Sequence, residues 1–159
     1  MSRFNYNEDD DRWGLWEQIR YRSIQGRPGK AMLLSLERAL KLLPIKSLVE
    51  GLLCNGEGVC AIGAMGYRKF IDEGMEPKKA WNKMKKLSYS KPIIDDDSGH
   101  LTLEFAVNEL GMTRALACII ADKNDSIFYY YKDSNEETGK RRYNRMLSWV
   151  KTELGRSSL

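Results

Sequence analysis

The chain has 159 residues, of which 42% are hydrophobic and 30% are charged, values typical of a single globular domain. This composition excludes disorder throughout the chain, and no apolar run approaches the ~18 residues that a membrane-spanning helix requires. The formal net charge of +4 permits contact with nucleic acid without requiring it. We expect no signal peptide and no membrane partner, and the odd number of cysteines, three, favours a reducing cytoplasm over a disulfide framework.

Two helices are predicted before the first long irregular segment. Acidic residues precede an apolar-periodic run that ends near Gln25, a pattern typical of a helix with a favourable N-terminus. The glycines and the proline of residues 26–29 interrupt the chain there. Leucines then recur at three- and four-residue steps up to Pro44, which predicts an amphipathic helix. Residues 45–53 are apolar but short, and they fit either helical or extended structure.

The middle of the chain contains the glycine-rich segment 53–66. Its first half predicts a turn, and its second half begins a buried helix over 59–71 whose small residues allow another backbone to approach closely. A further helix is predicted from Pro77, which suits a first turn, to about residue 87. The segment 88–100 carries three consecutive aspartates and is predicted to be an exposed acidic loop.

Helices also dominate the last third of the chain. Thr102 and Thr113 are predicted to cap the next two helices, the second of which ends near Asp122. Residues 127–131 are the one segment with strand-like composition, and a final helix is predicted over 136–154. We therefore predict an all-α fold: a compact helical bundle of about six or seven helices, with one short extended segment, in which the whole chain forms a single domain.

The glycine-rich turn at residues 56–60 is a candidate ligand site, because helix N-termini present N–H groups to anions. A phosphate-binding loop requires Lys-Ser/Thr after its last glycine, where this chain has Val59 and Cys60. A Cys-dependent enzyme would pair the Cys60 thiolate with His100, the one histidine. Buried cysteines acting as small hydrophobic residues are favoured over both readings, and the cysteine spacing does not fit a zinc site. We expect no catalytic residue, metal or cofactor.

Two clusters of basic residues, each beside aromatic residues, are candidate binding surfaces. The first cluster, interleaved with Trp81 and Met84, contains Lys78, Lys79, Lys83, Lys85 and Lys86. The second cluster follows three tyrosines and contains Lys140, Arg141, Arg142 and Arg145. Basic helices beside aromatic rings can bind a phosphate backbone while the rings stack on bases. A solvated helix face would show the same pattern.

Several short pieces of the sequence resemble, in their order, a group of small helical proteins of unknown function found in bacteriophage genomes and prophages. The pieces are the Cys-Ala-Ile-Gly-Ala run at 60–64, Asn124-Asp125, Glu137-Thr138 and the run from Arg145 to Val150. The resemblance spans roughly 45–152, and the lysine- and aspartate-rich stretch 78–100 departs from it. What it implies is context: a phage accessory protein made inside a bacterial cell, where small proteins often bind host components.

Asn124 and Asp125 have two interpretations in the sequence. Both residue types tolerate turn conformations, so the pair is first interpreted as the C-terminal turn of a helix. The sharper alternative is a polar pair that lies near the glycine-rich turn and orients a ligand there.

These observations favour a non-enzymatic protein that binds a host protein of defence or gene expression in the bacterial cytoplasm and modulates or inhibits it. An exposed helix face or the stretch 78–100 would form the interface, with Trp81 as an anchor. The alternative is a nucleic-acid-binding protein that uses the basic clusters at 78–86 and 140–145. A third reading is a small-molecule binder or Cys-dependent enzyme centred on 56–60.

Overall fold

The computed structural model describes residues 12–89, 98–125 and 137–155, and these residues form seven α-helices. The helices are α1 (Arg12–Gln25), α2 (Arg27–Leu42), α3 (Ala61–Asp72), α4 (Pro77–Tyr89), α5 (Ser98–Asn108), α6 (Arg114–Asp125) and α7 (Gly139–Glu153). Within these ranges the extended structure is limited to isolated bridges, which pair Val59 with Leu48 and with Cys54. The predicted all-α fold is confirmed. The strand-like residues 127–131 lie outside the described residues.

Local signals in the sequence explain most of the helix ends. Pro28 lies in the first turn of α2, where its missing N–H has no helical partner to lose, so only Gly26 separates α1 from α2. Gly74 follows α3 with a φ of +91°, the left-handed conformation that ends helices and that glycine adopts without strain. The Thr138 hydroxyl accepts a hydrogen bond from the N–H of Arg141 at 3.2 Å and caps α7.

Several predicted boundaries differ from the structure. Thr113 caps α6 as predicted, but Thr102 is buried inside α5, because that helix already begins at Ser98. Ser88 belongs to α4 and is buried, so the predicted exposed loop 88–100 is wrong at both of its ends. Its central residues 90–97 lie outside the described residues. Helix α6 runs on to Asp125, three residues past its predicted end.

Helix α3 lies at the centre of the fold and contacts α2, α4, α5 and α6. Small residues make this possible: Gly66 faces the ring of Phe105, and a Cβ at Gly66 would come within 2.7 Å of that ring. Outside α3, an ion pair between Arg20 and Asp122 joins α1 to α6. Among the described residues, no helix is both long and apolar enough to cross a membrane.

Candidate functional site: the loop 43–60 and its apolar cleft

The loop 43–60, which connects α2 to α3, folds on itself without forming a helix or a regular strand. The N–H of Val49 donates a hydrogen bond to the carbonyl of Val59 at 3.0 Å, which closes the glycine-rich part of the loop. The side-chain oxygen of Asn55 accepts a hydrogen bond from the N–H of Gly58 at 2.9 Å and shapes the turn. Loops of this length without regular structure are uncommon in compact domains and usually carry function.

Asn124, at the end of α6, holds this loop against α3. Its buried side chain, 1% exposed, accepts a hydrogen bond from the N–H of Ala61 at 3.0 Å and donates one to the carbonyl of Val49 at 2.9 Å. The second amide hydrogen goes to the carboxylate of Asp125 at 2.8 Å, and that carboxylate also accepts from the N–H of Gly51 at 3.2 Å. The described contacts of the pair are therefore structural: the two residues tie the loop to α6.

Two arginines of α7 bind the loop and the end of α6: Arg142 contacts the loop, and Arg145 contacts α6. Arg142 is buried, 5% exposed, and donates to the carbonyl of Leu48 at 3.1 Å and to the carboxylate of Glu50 at 3.2 Å. Arg145 forms a two-point ion pair with Glu137 at 2.8 and 3.0 Å, and it also donates to the last carbonyls of α6. These interactions bring together most pieces of the resemblance described above. We call the five residues that form these interactions the polar cluster: Asn124, Asp125, Glu137, Arg142 and Arg145.

The N-terminus of α3 is closed to an external anion by side chains of the protein. The N–H of Ala61 donates to Asn124, and the N–H of Gly63 donates to the sulfur of Cys60 at 3.3 Å. Gly63 also lies so close to the loop that an added Cβ would collide with the carbonyl oxygen of Leu53. Because two of the N–H groups in the first turn of α3 already have side-chain partners, the arrangement does not favour phosphate binding at residues 56–60.

All three cysteines are buried. Burial raises the pKa of Cys54 and that of Cys118 to about 11, so both stay protonated thiols at neutral pH. The sulfur of Cys60 serves as the cap of α3, whereas a nucleophilic thiolate needs access to a substrate. The side chain of its candidate partner, His100, lies outside the described residues. In the described part of the chain, no group of three or more His, Cys, Asp or Glu residues is placed to hold a metal ion.

An apolar cleft of about 230 Å³ opens beside this loop. Its walls come from three parts of the chain: the loop, α3 and the first turns of α4. The side chains that shape it include Pro44, Ile45, Val59, Tyr67, Pro77 and Trp81. Volumes of ligand pockets for cofactors and drug-sized molecules are about 300–1,000 Å³, so this cleft is small for a nucleotide. An engineered apolar cavity of about 150 Å³ holds a benzene molecule, so the cleft has room for one large apolar side chain.

Trp81 forms the rim of the cleft and is held in place by Tyr67. The two rings meet edge to face, with centroids 5.7 Å apart and planes inclined at 81°, which is a favoured geometry for aromatic pairs. Trp81 is partly exposed, and Ile45 across the cleft is 61% exposed. Aromatic side chains that combine partial exposure with a fixed orientation are typical anchors of protein interfaces.

The first basic cluster lies on the surface, next to the cleft. Lys78, Lys79, Lys83 and Lys86 are all exposed on α4. Lys79 pairs with Glu76 at 3.4 Å, and the Lys83 ammonium lies 4.2 Å from the centroid of the Phe70 ring. The sequence therefore located Trp81 and the lysines around it on one exposed helix.

The second basic cluster divides into two pairs. Lys140 and Arg141 are exposed on α7. Arg142 and Arg145 instead bind the loop 43–60 and the end of α6, and the prediction of a four-residue basic surface is wrong for the buried Arg142. This division follows from the helix period, because Arg142 and Arg145 lie beside Tyr143 and Met146, which occupy the buried face of α7.

The residues that sequence reasoning did not identify are those that complete the cleft around Trp81, above all Ile45 and Tyr67. One signal was present in the sequence: the apolar pair Pro44-Ile45 directly follows the end of α2, and the structure leaves both residues exposed. Comparison of the chain with protein-family models, with curated proteins and with solved structures finds no match.

Proposed function

We propose that this chain is a phage accessory protein that binds a protein of the bacterial host and thereby modulates or inhibits it. The observation that supports the proposal most is the apolar cleft, which presents Trp81 of α4 and Ile45 of the loop to solvent. Helices α6 and α7 hold that loop in place through Val49 and Leu48. Exposed apolar groups arranged around a fixed concavity are typical of protein-binding sites. The phage context comes from the resemblance in the sequence.

A non-enzymatic role agrees with the geometry of the other candidate site, the glycine-rich turn at residues 56–60. The cysteine thiols are buried, and the N-terminus of α3 is filled by Asn124 and Cys60. The cleft itself is lined mainly by apolar side chains, with Ser47 and Tyr67 as its residues with hydroxyl groups. Acid–base or nucleophilic chemistry needs titratable groups within hydrogen-bond reach of a substrate, and the described lining offers no carboxylate, histidine or thiol.

The proposal is tested by affinity purification from the lysate of a bacterial host, with a matched pair of variants. Ile45→Ser removes an apolar side chain at the cleft, and Leu15→Ser removes one on α1 that is also 61% exposed. We expect one captured host protein to be lost or strongly reduced with Ile45→Ser and kept with Leu15→Ser. Capture that survives Ile45→Ser and Trp81→Ala, with both variants folded, would contradict the proposal.

The second candidate function is nucleic-acid binding by α4, which has five lysines and no acidic residue. Lys79, Lys83 and Lys86 share one helix face, as their spacing of three and four residues requires. Such a surface would bind DNA or RNA with a steep dependence on salt. Retention on heparin that falls when Lys79 and Lys83 are both changed to glutamate would favour this function, whereas capture of the host protein that survives nuclease treatment would favour the first.

A further inference from the structure

The glycine-rich turn contains the pair Asn55-Gly56. Because glycine has no Cβ, its main-chain nitrogen meets little steric obstruction when it approaches the side-chain amide of the asparagine before it. Gly56 is exposed, and nothing lies within 4 Å of a Cβ built on it. In the folded protein, solvent therefore reaches this pair, and Gly56 has space to move.

The hydrogen bonds of the turn converge on the side-chain oxygen of Asn55. The N–H of Glu57 donates to Oδ1 at 2.7 Å, and the N–H of Gly58 donates to it at 2.9 Å. Two N–H groups at about 2.7–3.1 Å from an oxygen that gains negative charge form an oxyanion hole. Among the hydrogen bonds of the described residues in this turn, none uses the N–H of Gly56, so no such bond holds its nitrogen away from the Asn55 side chain.

The other asparagines in the described part of the chain lack this combination. Asn124 is buried, and its side-chain amide already has partners for its oxygen and for both of its hydrogens. Asn82, Asn108 and Asn144 belong to helices, where the N–H of the following residue donates to the carbonyl four residues before it. Asn55 is therefore the asparagine in these ranges whose amide is best placed for attack by its own backbone.

We propose that Asn55 of the folded protein deamidates spontaneously to isoaspartate and aspartate, because the turn promotes attack by the nitrogen of Gly56. In this reaction, the Gly56 nitrogen loses its proton to hydroxide and forms a bond with Cγ of Asn55. The Cγ–Nδ2 bond breaks, and the amide nitrogen takes up a proton from water and leaves as ammonia. Water then opens the cyclic imide. Opening at the main-chain carbonyl gives isoaspartate, and opening at Cγ gives aspartate.

The isoaspartyl product changes a wall of the cleft. Isoaspartate inserts a methylene into the main chain and places a new carboxylate in the turn. Gly58 and Val59 follow directly and line the cleft, while the hydrogen bond from the N–H of Cys60 to the carbonyl of Leu53 at 3.1 Å closes the base of the turn. The added length must therefore be absorbed by the residues at the cleft. This modification goes beyond the proposed function and does not depend on it.

The test follows deamidation of the full-length protein in a mildly alkaline buffer by tryptic digestion and mass spectrometry. Trypsin releases residues 47–68 as one peptide, in which Asn55 is the one residue with a side-chain amide. The gain in mass from amide to carboxylate therefore identifies the site, and chromatography separates the isoaspartyl form from the aspartyl form. A sample digested at time zero corrects for reaction during the digest. The references are Gly56→Ala and a synthetic peptide with the sequence of residues 50–60, which has no fixed turn.

We expect the product to accumulate in the folded protein at least as fast as in the peptide. Its rate should rise with pH, since the Gly56 nitrogen must lose a proton. Gly56→Ala should slow the reaction about tenfold or more, because the added Cβ obstructs the approach of the nitrogen, and urea unfolding should show that this variant keeps its stability. In the isoaspartyl protein, the amide NMR signals of Gly58 and Val59 should be shifted.

Slower reaction in the folded protein than in the peptide would show that the two N–H groups hold the Asn55 side chain in place, and it would overturn the inference. An equal rate in Gly56→Ala would overturn it as well. Unchanged signals of Gly58 and Val59 in the isoaspartyl protein would contradict the effect on the cleft. No partner takes part in these measurements, so their failure leaves the proposed function unaffected.

Discussion

Removing the side chain of Asn124 should destabilise the protein without any ligand being involved. In Asn124→Ala, the N–H of Ala61 and the carbonyl of Val49 lose their partners at 3.0 and 2.9 Å while they remain buried. A buried backbone group left without a partner costs about 1–3 kcal/mol, so the two groups together cost about 2–6 kcal/mol. We expect a loss near the middle of this range, about 4 kcal/mol.

Equilibrium unfolding in urea measures this loss. With a denaturant dependence of about 2 kcal/mol per molar urea, a loss of about 4 kcal/mol lowers the midpoint by about 2 M. Asn144→Ala is the matched control, since Asn144 is exposed on α7, and it should change the free energy of unfolding by less than about 0.5 kcal/mol. An Asn124→Ala variant as stable as the wild-type protein, but unable to capture its partner, would refute the structural role and revive the interpretation of Asn124 as a ligand-orienting residue.

Three further predictions concern the same region. Gly63→Ala should destabilise by about 3 kcal/mol or more in urea unfolding, because the added Cβ meets the backbone of Leu53, which cannot move aside as a flexible side chain can; Gly14→Ala, with nothing within 4 Å of its Cβ, should stabilise by up to about 1 kcal/mol. The native protein should resist alkylation of its three cysteines at pH 7, whereas the urea-unfolded protein should react at all three, and rapid native modification would contradict the burial. Cys54 and Cys118 have their pKa raised from 9.0 to about 11 by burial, so the folded protein retains both protons longer than the unfolded chain; stability should be intact below about pH 9 and fall between pH 9 and 11, and the decline should be shallower when both cysteines are alanine.

The helices were predictable because their signals are local. The leucine spacing of α2 and the small residues of α3 fixed those two helices to within two or three residues. The end of α6 was missed because Asn124 and Asp125 have turn-like chemistry, yet their side chains bond to the loop 43–60 and the backbone stays helical. Tertiary contacts outweigh the weak intrinsic preference of such residues.

The candidate site was predictable only in its helical half. Trp81 and the lysines of α4 were identified from the sequence, because one amphipathic helix carries them all. The opposite wall depends on contacts between distant parts of the chain: Asn124 reaches Ala61 across 63 positions, and Arg142 reaches Leu48 across 94. Periodicity and spacing describe neighbours in the sequence, so they cannot show which loop such residues hold.

The long-range attachment of the loop 43–60 also determines when the cleft can form. The loop appears early during synthesis, but the groups that fix Leu48 and Val49 belong to α6 and α7, which are made last. Because non-local contacts form only after the intervening chain has been closed into a loop, the wall that carries Ile45 should order late in folding. A nascent chain, or one that ends before α7, would therefore expose Trp81 without the wall that carries Ile45, and we expect any binding at the cleft to require the complete C-terminal helix.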